Sequence, residues 1–115
     1  MTVVELQAIC HTCPGATEDI KWDTHLCFCV GGKIFLSTSP DNFPVSAAFK
    51  VPGEAFDQLL ARPEFTAHHY LSRHQWVHLG DIRRLTTAEW QHYIRQSYAL
   101  IVAKLPAKIR QQLGG

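Results

Sequence analysis

The chain has 115 residues, 46% hydrophobic and 18% charged, which suits one globular domain and excludes both a disordered chain and two separate cores. No apolar run reaches the roughly 18 residues of a membrane span, and Met1-Thr2-Val3-Val4-Glu5 has neither a basic leader nor an apolar signal core, so a cytosolic location is expected. The formal net charge of +1 gives little overall pull on nucleic acid, but the halves differ: positions 1–57 hold seven acids and three bases, positions 58–115 three acids and eight bases.

Thr2-Val3-Val4-Glu5 has the form of a capping box, in which the Thr2 hydroxyl takes the Glu5 amide and Glu5 reaches back. Val3, Leu6, Cys10 and Cys13 follow at helical spacing, and Pro14-Gly15 stops that helix near His11 or Thr12. Residues 16–19 are polar and lead into a short strand around residues 20–22. Residues 25–30 read as a strand with Leu26, Phe28 and Val30 on one face. Gly31-Gly32 signals a tight hairpin, with residues 33–37 as the return strand. After a loop at Pro40-Asp41-Asn42, residues 45–50 form the next strand, with Val45, Ala47 and Phe49 alternating. Pro52 opens a second helix, whose inner stripe is Phe56, Leu59 and Leu60 and which Arg62-Pro63 ends.

Residues 70–78 run from a loop into a strand, where Trp76, Val77 and Leu79 suit a pleated surface and Gly80-Asp81 marks the end. Thr86-Thr87-Ala88-Glu89 is a second capping box. It begins the longest helix, residues 87–104, with Trp90, Tyr93, Ile94, Ser97, Ile101 and Leu105 along one face. Pro106 breaks it, and residues 108–113 add a final turn. The order α-β-β-β-β-α-β-α predicts an α+β domain: an antiparallel sheet of about five strands, with the N- and C-terminal helices packed on one face. The stripes Leu6-Ile9-Cys10 and Trp90-Ile94-Ile101 need one apolar surface, which Leu26, Phe28, Val45 and Phe49 supply.

Several constellations invite chemistry. Cys10-x-x-Cys13 and Cys27-x-Cys29 make two pairs, but Cys10 lies in a helical stripe and Cys27 and Cys29 on a regular strand, where free cysteine acts as a small hydrophobe. The first pair also sits at the wrong end of its helix for a stabilised thiolate. His68-His69 with His74 or His78 has no nearby carboxylate to orient a metal-bound imidazole, so a polar strand edge is the simpler reading. There is no nucleophile elbow and no phosphate-binding glycine loop. These residues assign no catalytic group, no metal ligand and no cofactor, and the chain is expected not to be an enzyme. Arg73-His74-Gln75-Trp76 does interleave cations with an aromatic ring, the combination nucleic-acid binders use.

Five pieces in register resemble the MmcQ/YjbR-like proteins: Pro14-Gly15-Ala16-Thr17-Glu18-Asp19, Val30-Gly31-Gly32-Lys33-Ile34-Phe35, Phe49-Lys50-Val51, residues 70–77, and Ser97-Tyr98 with Val102-Ala103-Lys104-Leu105-Pro106. The resemblance implies a CyaY-like fold, with helices against one face of an antiparallel sheet, and a family commonly described as DNA-binding. It carries no catalytic residues. The chain departs from the pattern at His74-Gln75, where the family often has a basic residue and a histidine. Taken together, these features give a small DNA-binding protein whose contacts are Lys33, Lys50, Arg73, His74 and Trp76, with double-stranded DNA as partner and no membrane. The alternative is a protein-interaction module that uses the sheet face away from the helices, where Cys27, Cys29, Phe35 and Trp76 form an exposed patch. A small-molecule or metal-binding domain is a third class.

Overall fold

Thr2 and Thr86 start the two main helices as their sequences require. Thr2 accepts the Glu5 amide at 3.2 Å while the Glu5 carboxylate takes the Thr2 amide, opening α1 (Val3–His11). Thr86 and Glu89 repeat the arrangement at 3.1 and 3.0 Å, opening α3 (Thr87–Val102). Each box satisfies two backbone donors that a helix start otherwise leaves free. The computed structural model describes residues 1–21, 24–68 and 74–113.

The remaining elements are β1 (Thr17–Lys21), β2 (His25–Val30), β3 (Lys33–Ser39), β4 (Ser46–Lys50), α2 (Gly53–Leu60), β5 (Phe65–Ala67), β6 (Trp76–Leu79), a 3₁₀ turn (Ile82–Arg84) and α4 (Ala107–Gln112). The strands form one antiparallel sheet in the order β1-β2-β3-β4-β6-β5. The sheet therefore has six strands rather than about five. The added strand is β5, three residues with only Phe65 buried, too short to show alternation. β1 also differs from the expectation: it begins at Thr17, and the expected position 22 lies outside the described residues. Its exposed Glu18 and Asp19 look like loop residues. They are a strand because their backbone pairs with Phe28 and Cys27, and charges suit an edge that must not recruit another strand.

One apolar row crosses four strands. Phe28 faces Leu36, Leu36 faces Phe49, and Phe49 faces Val77, all fully buried. Leu6 and Cys10 of α1 and Trp90 and Ile94 of α3 close over this side, so the two helices do share one core. The Phe49 ring sits edge-on to Trp90 and Phe65 and stacks on Tyr93 at 5.4 Å, and Trp90 donates its indole N–H to the Ile82 carbonyl at 2.9 Å. Burying Phe28 or Trp90 removes a large apolar surface from water. Phe28→Ala or Trp90→Ala is expected to cost about 3–5 kcal/mol, and urea unfolding that gives an unchanged midpoint would remove this core assignment.

Two glycines set the β2–β3 hairpin. Gly31 and Gly32 both have positive φ, +56° and +80°, as a tight two-residue turn demands. A side chain at Gly31 would also strike Leu105, whose Cδ1 lies 2.8 Å from the position a Cβ would take. The register then shifts: Cys29 faces Ile34, but Phe28 faces Leu36, leaving Phe35 as the extra residue of a bulge. Its carbonyl is met from outside the sheet. Ser97 of α3, fully buried, donates to that carbonyl at 2.6 Å and accepts the Lys50 amide at 3.0 Å. Ser97→Ala leaves one buried donor and one buried acceptor unpaired and is expected to cost about 2–4 kcal/mol, measured by chemical denaturation; a loss below about 0.5 kcal/mol would show that the bridge is dispensable.

Candidate anion-binding surface

The hairpin and the C-terminal segment meet at one end of the molecule. Leu105 and Ile109 pack against Gly31, and Leu113 against Gly15. Positions 103–113 contain Lys104, Lys108 and Arg110 and no acid, and positions 30–36 contain Lys33 and no acid. Lys33, Lys104 and Lys108 are exposed, while Arg110 folds back to donate to the Ala103 carbonyl at 3.1 Å. The ion pairs among the described residues join Asp19 with Lys21, Glu64 and Glu89 with Arg62, Asp81 with Arg83, and Glu18 with His11. None of these ion pairs takes in Lys33, Lys104 or Lys108.

Lys50 ends β4 at the border of that end. It is 6% exposed, and its Nζ donates to the His74 carbonyl at 2.7 Å. Burial lowers its pKa, and the positive charge of Lys104 lowers it further. His74 is exposed beside it. Arg73 lies outside the described residues. The structure therefore brings Lys50 and His74 together and sets Lys33 on the hairpin, at the end where the C-terminal cations lie.

Trp76 differs from its expected role. It is 6% exposed, pairs with Lys50 across β4 and β6, and meets the edge of the His68 ring at 6.4 Å, so it presents no stacking surface. The exposed patch expected on the far face of the sheet does not form either. Cys27 and Phe35 are fully buried and Cys29 and Trp76 nearly so, and the bulge places Phe35 edge-on to Tyr98 of α3. The sequence reading missed Lys104, Lys108 and Arg110. Their signal was a run of 11 residues at positions 103–113 with three bases and no acid, and only the fold shows that this run seats on the hairpin.

The thiols pack as hydrophobes. Cys10 and Cys13 join the core, and the Cys27 Sγ lies 3.8 Å from the Ser37 hydroxyl. Burial pushes all four thiols up from their ordinary range, Cys10 furthest, with the charges of Cys13 and Glu18 adding to it. The histidines do not converge: His78 stands between Ala48 and Thr66, its pKa lowered by burial and then by His25, and His69 lies outside the described residues. No group of three His, Cys, Asp or Glu among the described residues is placed to hold a metal ion. No helix among them is long and apolar enough to cross a membrane.

A raised thiol pKa means the native state keeps a proton that the unfolded chain releases near pH 9. The resulting stability is full below that pH and is lost as pH rises above it. Stability is therefore expected to fall above pH 9, and less steeply in Cys10→Ala. A disulfide reagent at pH 8 is expected to modify Cys10 at least about 100-fold more slowly in native protein than in urea. Equal rates would show that this thiol is not held in the core.

Residues 11–100 match the family model described as YjbR. No curated protein matches the chain. Among solved structures, the chain is similar to the crystal structure of Deinococcus radiodurans protein DR2400, which carries the domain DUF419, with a TM-score of 0.88 and 25% identity over 98% of this chain and 88% of that one.

Proposed function

The chain belongs to the YjbR family, and we propose that it is a non-enzymatic domain that binds double-stranded DNA weakly, by its phosphate backbone, at the basic end described above. The observation that carries the proposal is the seating of the acid-free segment 103–113 on the β2–β3 hairpin, which gathers Lys33, Lys104 and Lys108, none of them in an ion pair among the described residues. His74 and Lys50 border the same surface, and Arg73 adjoins His74 in sequence. Backbone contact needs cations on a firm scaffold and no base-reading element, and it positions a duplex without reading its sequence. Buried Trp76 supplies no wedge or stacking ring, which favours contact with phosphates over contact with bases.

The charges set the strength. About four phosphates are neutralised, so the slope of log affinity against log salt is expected to be about −3 to −4, and binding to be weak and non-specific near physiological salt. Fluorescence anisotropy with a short duplex tests this across salt. Each lysine removed in a Lys33→Ala, Lys108→Ala double variant is expected to reduce the slope by about one unit. Absence of binding at low salt, or equal binding by the double variant, would overturn the proposal.

A further inference from the structure

At the end of β3 away from the hairpin, three pieces of chain leave a hollow of about 250 Å³: the start of α1, the β3–β4 loop and the turn after β6. Val3, Pro44, Val45 and Ile82 give it an apolar lining. The Ile82 amide bonds to the Val45 carbonyl at 2.9 Å and holds the turn against the loop. The two charged residues of the lining, Asp81 and Arg83, pair with each other at 2.8 Å. Phe43 also lines the hollow, yet it is 92% exposed, the most exposed large hydrophobic residue among those described. Val4, 72% exposed, follows Val3 on the first turn of α1. A ring and an aliphatic side chain left in water beside an open apolar hollow make a patch that gains by being covered. The charges flanking it say by what. Positions 40–45 hold one acid, Asp41, and no base, while Ile82–Arg84 holds two bases, Arg83 and Arg84. Asp41 and Arg84 are both exposed, and neither is in an ion pair among the described residues. One patch thus carries a projecting ring and a hollow, and an acidic lobe and a basic lobe. A contact between two copies about a two-fold axis requires that self-complementarity.

We propose that this end of the molecule is the interface of a homodimer, in which Phe43 enters the hollow of the partner subunit and Asp41 faces the partner's Arg84, each contact occurring twice. The pairing removes both rings from water and sets opposite charges together at the border. Two rings supply about 150–250 Å² each, and a stable specific interface buries about 1,200 Å² or more. The remainder has to come from the loop and the lining, so the dimer is a reversible one, with a Kd on the order of 10–100 μM. The hairpin that carries Lys33 and seats the segment of Lys104 and Lys108 lies at the other end of β3, about 20 Å away. Pairing at the Phe43 end therefore keeps the cations of the two copies apart and leaves both basic ends open. The dimer does not depend on DNA binding.

The test is sedimentation equilibrium of the whole chain, without DNA, from about 5 μM to 1 mM at low salt, where surface charges are least screened. Wild type is expected to pass from monomer to dimer across that range. Phe43→Ala is expected to associate at least about tenfold more weakly, as removal of a central aromatic anchor implies. Asp41→Lys and Arg84→Glu, both at exposed positions, are each expected to associate several-fold more weakly, because each sets like charges opposite one another. An equimolar mixture of these two variants is expected to recover the association of wild type. In the mixed dimer both contacts again join opposite charges, which only a two-fold arrangement of these residues provides. Ile20→Ala, on the exposed edge strand β1, is expected to behave as wild type. A monomer at every concentration, association unchanged in Phe43→Ala, or no recovery in the mixture overturns the proposal. Loss of association in Ile20→Ala moves the contact to the sheet edge and overturns it too. An apolar dye that binds monomeric wild type but not Phe43→Ala, in a chain that does not self-associate, assigns the hollow to a small apolar ligand instead.

Discussion

The Ser97 hydroxyl is the join on which the rest of the structure depends. The tight Gly31-Gly32 turn fixes Val30 opposite Lys33 and Cys29 opposite Ile34. Continued without a bulge, that register would set Phe35 opposite Phe28 and turn Leu36 away from the core. The bulge instead lets Phe35 and Leu36 both become fully buried. Its consequence is a stranded carbonyl at Phe35, beside the Lys50 amide at the end of β4. A buried pair of this kind is costly unless something bridges it. Ser97 bridges it from the neighbouring layer, so one side chain ties α3 to two strands and fixes how the helix lies across the sheet.

That position of α3 decides the charge pattern. Once the helix is pinned at Ser97, its C-terminal extension reaches the hairpin, where Leu105 and Ile109 fill the space that a side chain at Gly31 would take. The lysines beside those two anchors, Lys104 and Lys108, are carried to the same place. The paired carboxylates meet cations of their own half of the chain, as Asp19 meets Lys21 and Asp81 meets Arg83. The exception is the segment that follows the pinned helix. Its cations are concentrated because the apolar residues between them have only one surface to cover.

Local signals made much of the fold legible. Both capping boxes, the helix stop after His11, the double-glycine hairpin and the strand beginning at Trp76 rest on interactions within a few residues, and the structure places each where those residues require. The misses are non-local. β5 exists because Phe65 and its neighbours pair with β6, and β1 begins at Thr17 because β2 offers it an edge. The candidate surface divides in the same way. Lys33 and Lys50 were readable from the ends of patterned strands. Burial of Trp76 and the seating of Leu105 over Gly31 depend on contacts between residues about 26 and 74 positions apart, which periodicity does not encode.

A sequence that specifies its fold well satisfies propensity, capping, register and polar partners together, and departures concentrate where something other than stability is served. In this chain the caps of α1 and α3 are closed, the β2–β3 ladder is bridged at its bulge, and most described carboxylates meet a cation or a backbone amide. Two polar features, one on α3 and one at the end of β4, stand apart. Gln96 Oε1 is buried without a partner among the described residues, one position before the bridging serine. Lys50 is buried with its ammonium on the His74 carbonyl rather than on an acid. A glutamine or a methionine at position 50 would avoid the second cost while keeping the strand. The lysine is retained beside a serine that already secures its backbone, so its ammonium is not needed to hold β4 in place. What that ammonium does provide is a fixed positive charge, poorly screened by water, held on the His74 carbonyl where β4 meets β6.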